Sequence, residues 1–145
     1  MILTFRDKRT RDFPDGKRVK AFDGIRRSAE MKLDQVDAAT SIRDLALPGN
    51  RPRTPIHPGE HLAEQLKALD MSAAELARRL AVPTNRVTSI IKGQRAVTGD
   101  TALRLGHFFG NSPQFWLNLQ SLYELRVAGN RAGAEIESLP TLSAP

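Results

Sequence analysis

Short hydrogen-bonding and basic side chains are concentrated between residues 78 and 95 of this sequence. They are Arg78, Thr84, Asn85, Arg86, Thr88, Ser89, Lys92 and Arg95. Hydroxyl and amide groups can read base edges in a DNA major groove, whereas guanidinium and ammonium groups neutralise phosphates. Residues 72–95 hold five basic side chains and a single acid, Glu75. We expect base contacts from Thr84, Asn85, Thr88 and Ser89, and mainly phosphate contacts from Arg78, Arg86, Lys92 and Arg95.

Two helices with a very short connection would position this set. The first is predicted to turn Leu76, Ala77 and Leu80 inward, and the second to bury Val87, Ile90 and Ile91. Only Ala81-Val82-Pro83 separates them, so they must cross steeply, as in a helix-turn-helix unit. The alternative is an ordinary helical hairpin in a bundle, with a solvated polar face.

Three further helices are predicted around this pair. One begins near Pro58 and carries an apolar stripe of Leu62, Leu66 and Leu69. Another is capped by Thr98 and stopped by Gly110, and the pair itself starts at the capping-box residue Ser72. The last begins at Ser112-Pro113, and we expect its apolar side chains to be core or dimer-interface anchors: Phe115, Trp116, Leu119, Leu122 and Tyr123.

A proline-rich seam over residues 47–58 divides the chain. Residues 1–53 hold 13 basic and 8 acidic side chains, whereas residues 54–145 hold 9 and 8. The first half has a candidate strand, Ile2–Phe5, and a candidate helix from Val19 to Gln35. That helix would be lined by Phe22, Ile25, Ala29, Leu33 and Val36. It has no sheet to cover, so we expect it to dock on the second half or on another chain, or to be poorly ordered.

Composition excludes several classes of function. The 145 residues include no cysteine, which rules out disulfides, cysteine-rich zinc sites and cysteine nucleophiles. No apolar run approaches the roughly 18 residues of a membrane span. The net charge is +6 and the isoelectric point about 10.3, which favours a polyanionic partner. We expect a cytoplasmic, non-enzymatic protein without a cofactor.

His57 and His61 are four residues apart with Glu60 between them, a spacing that invites a metal-site interpretation. No further ligand lies nearby in the sequence, so we predict no metal site. His107 is expected to be a partly buried core or boundary side chain.

The second half closely resembles the HigA antitoxins, Xre-type helix-turn-helix proteins also called plasmid-maintenance or VapI-like proteins. The resemblance spans residues 56–128 and rests on blocks that agree in order: Ile56-His57-Pro58-Gly59-Glu60, Ile90-Ile91-Lys92-Gly93-Gln94-Arg95-Ala96-Val97-Thr98, Phe108-Phe109-Gly110-Asn111-Ser112-Pro113-Gln114-Phe115-Trp116 and Tyr123-Glu124-Leu125-Arg126. It implies a five-helix, phage-repressor-like all-α domain. It also implies a homodimer that binds double-stranded operator DNA ahead of its own operon and neutralises a HigB-type toxin.

The first half resembles the opening of a HigB toxin, a RelE-like mRNA endonuclease. The resemblance is carried by Phe5-Arg6-Asp7-Lys8, Arg18-Val19-Lys20, Val36-Asp37-Ala38-Ala39-Thr40-Ser41 and Pro48-Gly49-Asn50-Arg51. It stops at Arg51, before the part in which such toxins carry most of their catalytic residues. It implies a strand-plus-helix fragment of an α+β fold without a catalytic site.

The predicted organisation is therefore a truncated toxin-like fragment over 1–51, a linker over 52–57, an antitoxin domain over 58–128 and a flexible tail over 129–145. The leading interpretation is a DNA-binding antitoxin that represses its own operon through the helix at 83–92. The alternatives are a module that neutralises a HigB-type toxin without significant DNA binding, and a non-functional fusion.

Overall fold

The computed structural model describes residues 25–40 and 54–142, in which every regular element is a helix. The helices, in chain order, are α1 (Arg26–Thr40), α2 (Pro58–Ala68), α3 (Ala73–Leu80), α4 (Thr84–Ile91), α5 (Gly99–Phe109) and α6 (Pro113–Glu137). The predicted strand Ile2–Phe5 lies outside the described residues. No helix in the described part of the chain is both long and apolar enough to span a membrane.

Helices α2 to α6 surround one apolar core, which confirms the five-helix domain. Their inward side chains include Leu62, Leu66, Leu76, Leu80, Val87, Ile90, Leu105, Trp116, Leu119 and Leu122, each at most 5% exposed. Ala77 is 1% exposed, so this small side chain of α3 is turned inward as predicted. The core therefore fixes the position of α4.

The turn between α3 and α4 contains a left-handed alanine. Ala81 has φ 54° and ψ 48°, and the Val82 amide donates to the Ala77 carbonyl at 3.0 Å. This is the bond pattern of a Schellman motif, in which glycine is the usual left-handed residue. An alanine pays roughly 1–2 kcal/mol there, so packing of α3 against α4 holds the turn in place.

The ends of helices α2 and α6 differ from the prediction. Leu69 does not belong to the apolar stripe of α2: it follows the last helical residue, Ala68, and is 52% exposed. Residues 129–137, which were predicted to belong to a flexible tail, are helical, because α6 continues to Glu137. Gly129 and Gly133 lack positive φ angles, and the surrounding alanines favour helix.

The last two residues of the linker predicted over 52–57 are packed against the domain. Ile56 is 1% exposed and His57 is buried. The His57 Nδ1 atom accepts a hydrogen bond from the Gly59 amide at 2.9 Å, so His57 is the N-cap of α2. These two residues belong to the domain rather than to a spacer.

Helix α1 docks against α2 and α6, in line with the expectation that a helix of the first half would find another surface. It begins at Arg26 and ends at Thr40, later than the predicted Val19 to Gln35. The face is also different. Ile25 and Val36 of the predicted stripe are 61% and 45% exposed, while Glu30, Met31, Asp34 and Ala38 are buried. Phe22 lies outside the described residues.

Candidate nucleic-acid interface

Helix α4 is held by contacts at both ends. A Cβ atom at Gly59 would lie 1.8 Å from the Ile90 carbonyl oxygen, so α2 meets the end of α4 backbone to backbone. Gly93 then ends the helix with φ 71°, and the Gln94 amide donates to the Ser89 carbonyl at 2.9 Å. Pro83 is the N-cap, so α4 starts one residue later than predicted.

The outward side of α4 carries the polar residues that the sequence singled out. Thr84, Asn85 and Lys92 are exposed, as is Arg95 beyond the helix. Thr88 and Ser89 are half-buried. The Thr88 hydroxyl donates to the carbonyls of Thr84 and Asn85, each at 3.2 Å. Its hydrogen is thus engaged within the helix, and only its acceptor lone pairs face outward.

Two of the predicted phosphate-contacting residues have partners within the chain. Arg86 Nη1 lies 2.6 Å from Asp100 Oδ2, and Arg78 pairs with Glu75. Lys92 and Arg95 have no such partner in the part of the chain that the structure describes. Their positive charge is therefore fully available to a polyanion.

Asp100 and Arg104 support this surface, a role that was not predicted from the sequence. Arg104 Nε donates to Asp100 Oδ1 at 3.1 Å, and Arg104 Nη1 donates to the Leu80 carbonyl at 2.8 Å. Hydrogen bonds from Arg104 and Arg86 lower the pKa of Asp100. The i, i+4 spacing of Asp100 and Arg104 could have suggested the first pair. The link to α3 and α4 depends on tertiary structure.

Glu75 is the acid within the basic stretch. Its backbone amide donates to Ser72 Oγ at 3.1 Å, as the capping box predicts. Its carboxylate accepts hydrogen bonds from Arg79 and Arg78, which lower the pKa of Glu75. In a capping box this carboxylate reaches back to the cap amide, but here it is shared between two arginines.

The predicted interface anchors divide into two groups. Trp116 and Leu119 are each 1% exposed and lie in the core of the single chain, so of the two expected roles, core or dimer-interface anchor, these two have the core role. Phe115 and Tyr123 are half-buried. The Trp116 indole nitrogen donates to Asn111 Oδ1 at 2.9 Å, so its polar atom is satisfied within the chain.

Two of the three histidines take structural positions. His57 caps α2, as described above, and His61 is buried between α1 and α2. The described residues contain no group of three or more histidine, cysteine, aspartate or glutamate side chains that could hold a metal ion. His107 is exposed, so its prediction as a partly buried residue is wrong.

Comparison with known proteins places this architecture in a family. A family model described as helix-turn-helix matches residues 62–116. Virulence-associated protein I of Dichelobacter nodosus is 44% identical over 86 residues, 58% of this chain and 80% of that protein. The solved structure of a HigA-family addiction module antidote protein from Coxiella burnetii is 57% identical, with a TM-score of 0.60, and the match covers 61% of this chain and 98% of that one. The chain belongs to the HigA family of helix-turn-helix antitoxins.

A second similar structure was solved together with DNA. The Pseudomonas aeruginosa antitoxin HigA, solved with the higBA promoter, is 43% identical to this HigA-family chain with a TM-score of 0.59. The match covers 62% of this chain and 100% of that one. The family model begins at residue 62, so α1 of this HigA-family chain lies outside it.

Proposed function

We propose that this chain is a DNA-binding antitoxin that represses its own operon. The observation that carries the proposal is the solvent-facing side of α4, where Thr84, Asn85 and Lys92 are exposed on a helix held rigidly by the core. A helix presented in this way fits a DNA major groove. The HigA relative solved with promoter supports the same function.

Within this proposal the eight residues have two roles. Thr84, Asn85, Thr88 and Ser89 contact base edges. Arg86, Lys92, Arg78 and Arg95 contact mainly phosphates. The pairs formed by Arg86 with Asp100 and by Arg78 with Glu75 mean that Lys92 and Arg95 contribute most of the salt-dependent attraction.

A mobility-shift titration on DNA upstream of the gene tests the proposal. Replacing Lys92 with alanine removes one phosphate contact, so binding should weaken evenly across sequences and the salt slope should fall by about one. Lys67→Ala serves as the matched control, because Lys67 is exposed at the end of α2.

The outcomes are distinct. Unchanged affinity in Lys92→Ala, or an equal loss in Lys67→Ala, would contradict the assigned surface. Loss of discrimination at a single base pair would instead make Lys92 a base-contacting residue.

The second proposed activity is neutralisation of a HigB-type toxin. The observation that favours it is α1, a helix of the toxin-like first half, which is joined to α6 by a buried ion pair and to α2 by an exposed one. In this proposal residues 1–51 are a truncated toxin fragment that has kept its affinity for the antitoxin domain. The chain is further proposed to be a cytoplasmic homodimer, with Phe115 and Tyr123 available for its interface.

A further inference from the structure

Helix α1 is attached to the antitoxin domain by polar contacts at its centre. Asp34 and Arg126 form an ion pair of 2.7 Å, with side chains only 2% and 8% exposed. The Asn118 side-chain amide donates to the Ala38 carbonyl, and Gln35 Nε2 lies 3.2 Å from His61 Nδ1. Two buried domain side chains, Asn118 and Arg126, are thus aimed at α1.

Exposed ion pairs extend the same contact toward α2. Arg27 lies 2.6 Å from Glu60, and Lys32 lies 3.7 Å from Glu64. Such pairs contribute little to stability, but they fix the orientation of one helix on another. All of these contacts, from Arg27 to Ala38, are therefore made together in one position and orientation of α1 on the domain.

The apolar stripe that the sequence predicted for this helix is not the face that is docked. Ile25 and Val36 are exposed, and Ala29 and Leu33 are half-buried. A surface helix ordinarily turns its apolar stripe to the domain that it belongs to. Here the docked face carries the buried acids Glu30 and Asp34 beside two apolar residues, Met31 and Ala38, while Val36 is exposed. That is the arrangement of a helix with a second apolar face for another core. In the toxin fold that the resemblance implies, the other core lies against a sheet.

We infer that the surface formed by His61, Asn118 and Arg126 is the site where this antitoxin domain receives a toxin helix, and that α1 occupies it in cis. The helix it takes is amphipathic, with an acid opposite Arg126 and a small residue opposite Asn118. Because α1 covers the surface, capture of an intact toxin in trans is suppressed. This inference rests on the toxin origin proposed for residues 1–51.

The full-length chain and its Asp34→Arg variant test the inference. The variant places two guanidinium groups against each other and should release α1, seen as loss of amide-hydrogen protection over residues 26–40. A catalytically inactive HigB-type toxin should then bind at least ten-fold more tightly than it binds the parent, since apparent affinity falls with the fraction of open sites. Glu135→Arg, the same kind of change at an exposed position of α6, is the matched control and should behave as the parent.

A second substitution identifies the surface. Arg126→Glu alone should also release α1, because two carboxylates then face each other, but it should gain no toxin binding, since the toxin acid loses its partner. Asp34→Asn is a milder release that keeps the shape of the side chain, and it should produce a smaller gain in the same direction.

Several results would overturn the inference: equal toxin affinity in the parent and both Asp34 variants, no binding by any of them, or a gain of toxin binding in Arg126→Glu. Operator binding is measured on the same samples. A chain that gains toxin binding but shifts no DNA contradicts the proposed repressor and supports this surface. The reverse result contradicts only the surface.

Discussion

At the scale of single residues, Gly59 shows why the block His57-Pro58-Gly59 opens the domain. His57 caps α2, Pro58 sets the first helical turn, and Gly59 lets the backbone of α2 touch the Ile90 carbonyl at the end of α4. The glycine is required by the close approach rather than by its backbone angles. It therefore links the start of the domain to the position of the proposed recognition helix.

Replacing Gly59 with alanine should lower the free energy of unfolding by about 3 kcal/mol or more, because the added methyl group meets backbone that cannot rotate away. Urea denaturation measures the change. Gly129→Ala is the matched control, since a Cβ there meets nothing within 4 Å. It should be neutral or stabilise α6 by up to about 1 kcal/mol. Equal stability of both variants and the parent would contradict the close approach.

At the scale of elements, the short connection and the buried periodicity predicted the α3–α4 pair, because both signals are local. The docking of α1 was foreseen only as one of several outcomes, and its face was predicted wrongly. Apolar spacing identifies which face of a helix is suited to burial. It does not identify the segment against which that face packs. The burial of Asp34 had no local signal in the sequence, because its partner Arg126 lies 92 positions later in the chain.

The contact between α1 and the domain also includes a titratable group. Burial, together with Lys32 and Arg27 of α1 and Arg126 of α6, lowers the pKa of His61 to about 4. Its Nε2 atom has no hydrogen-bond partner among the described residues. Glu60 and Glu64 of the same helix do not offset these effects. The ring is therefore neutral in the folded chain at neutral pH.

This predicts acid sensitivity. Between pH 6.5 and about 4, His61 is protonated in the unfolded chain but neutral in the folded one. The free energy of unfolding therefore falls as the pH is lowered through that interval. The loss amounts to roughly 3 kcal/mol at its largest. Urea denaturation across this range should show a shallower pH dependence in His61→Gln. A His61→Gln slope equal to that of the parent would refute the assignment, and His107→Gln, at an exposed position, is the control.

At the scale of the whole molecule, the net charge of +6 is a poor guide to where a polyanion binds. The second half carries 9 basic and 8 acidic side chains. Several of these cancel in pairs around α3 and α5. What remains outward at α4 is a small cationic group, Lys92 and Arg95. The proposed binding therefore depends on placement rather than on total charge.

A homodimer with two copies of α4 should read two half-sites about one helical turn, roughly 34 Å, apart. After footprinting locates the protected DNA, inserting about five base pairs between its halves should rotate one half-site to the opposite side of the duplex. Affinity measured by mobility shift should then fall at least ten-fold. Inserting about ten base pairs returns both half-sites to the same side of the duplex and is the control. Equal affinity on the native and the five-base-pair duplex would indicate binding as independent single chains.

The sequence alone determined the local features of this protein: five helices, the crossing of α3 and α4, and the polar set on α4, since periodicity, caps and short connections act over neighbouring residues. Tertiary structure decided the rest. It placed Trp116 and Leu119 in the core, paired Arg86 with Asp100, extended α6 to Glu137 and set the polar face of α1 on Arg126. Each of these except the length of α6 depends on packing between segments distant along the chain, and α6 continues through glycines that sequence signals take as stops.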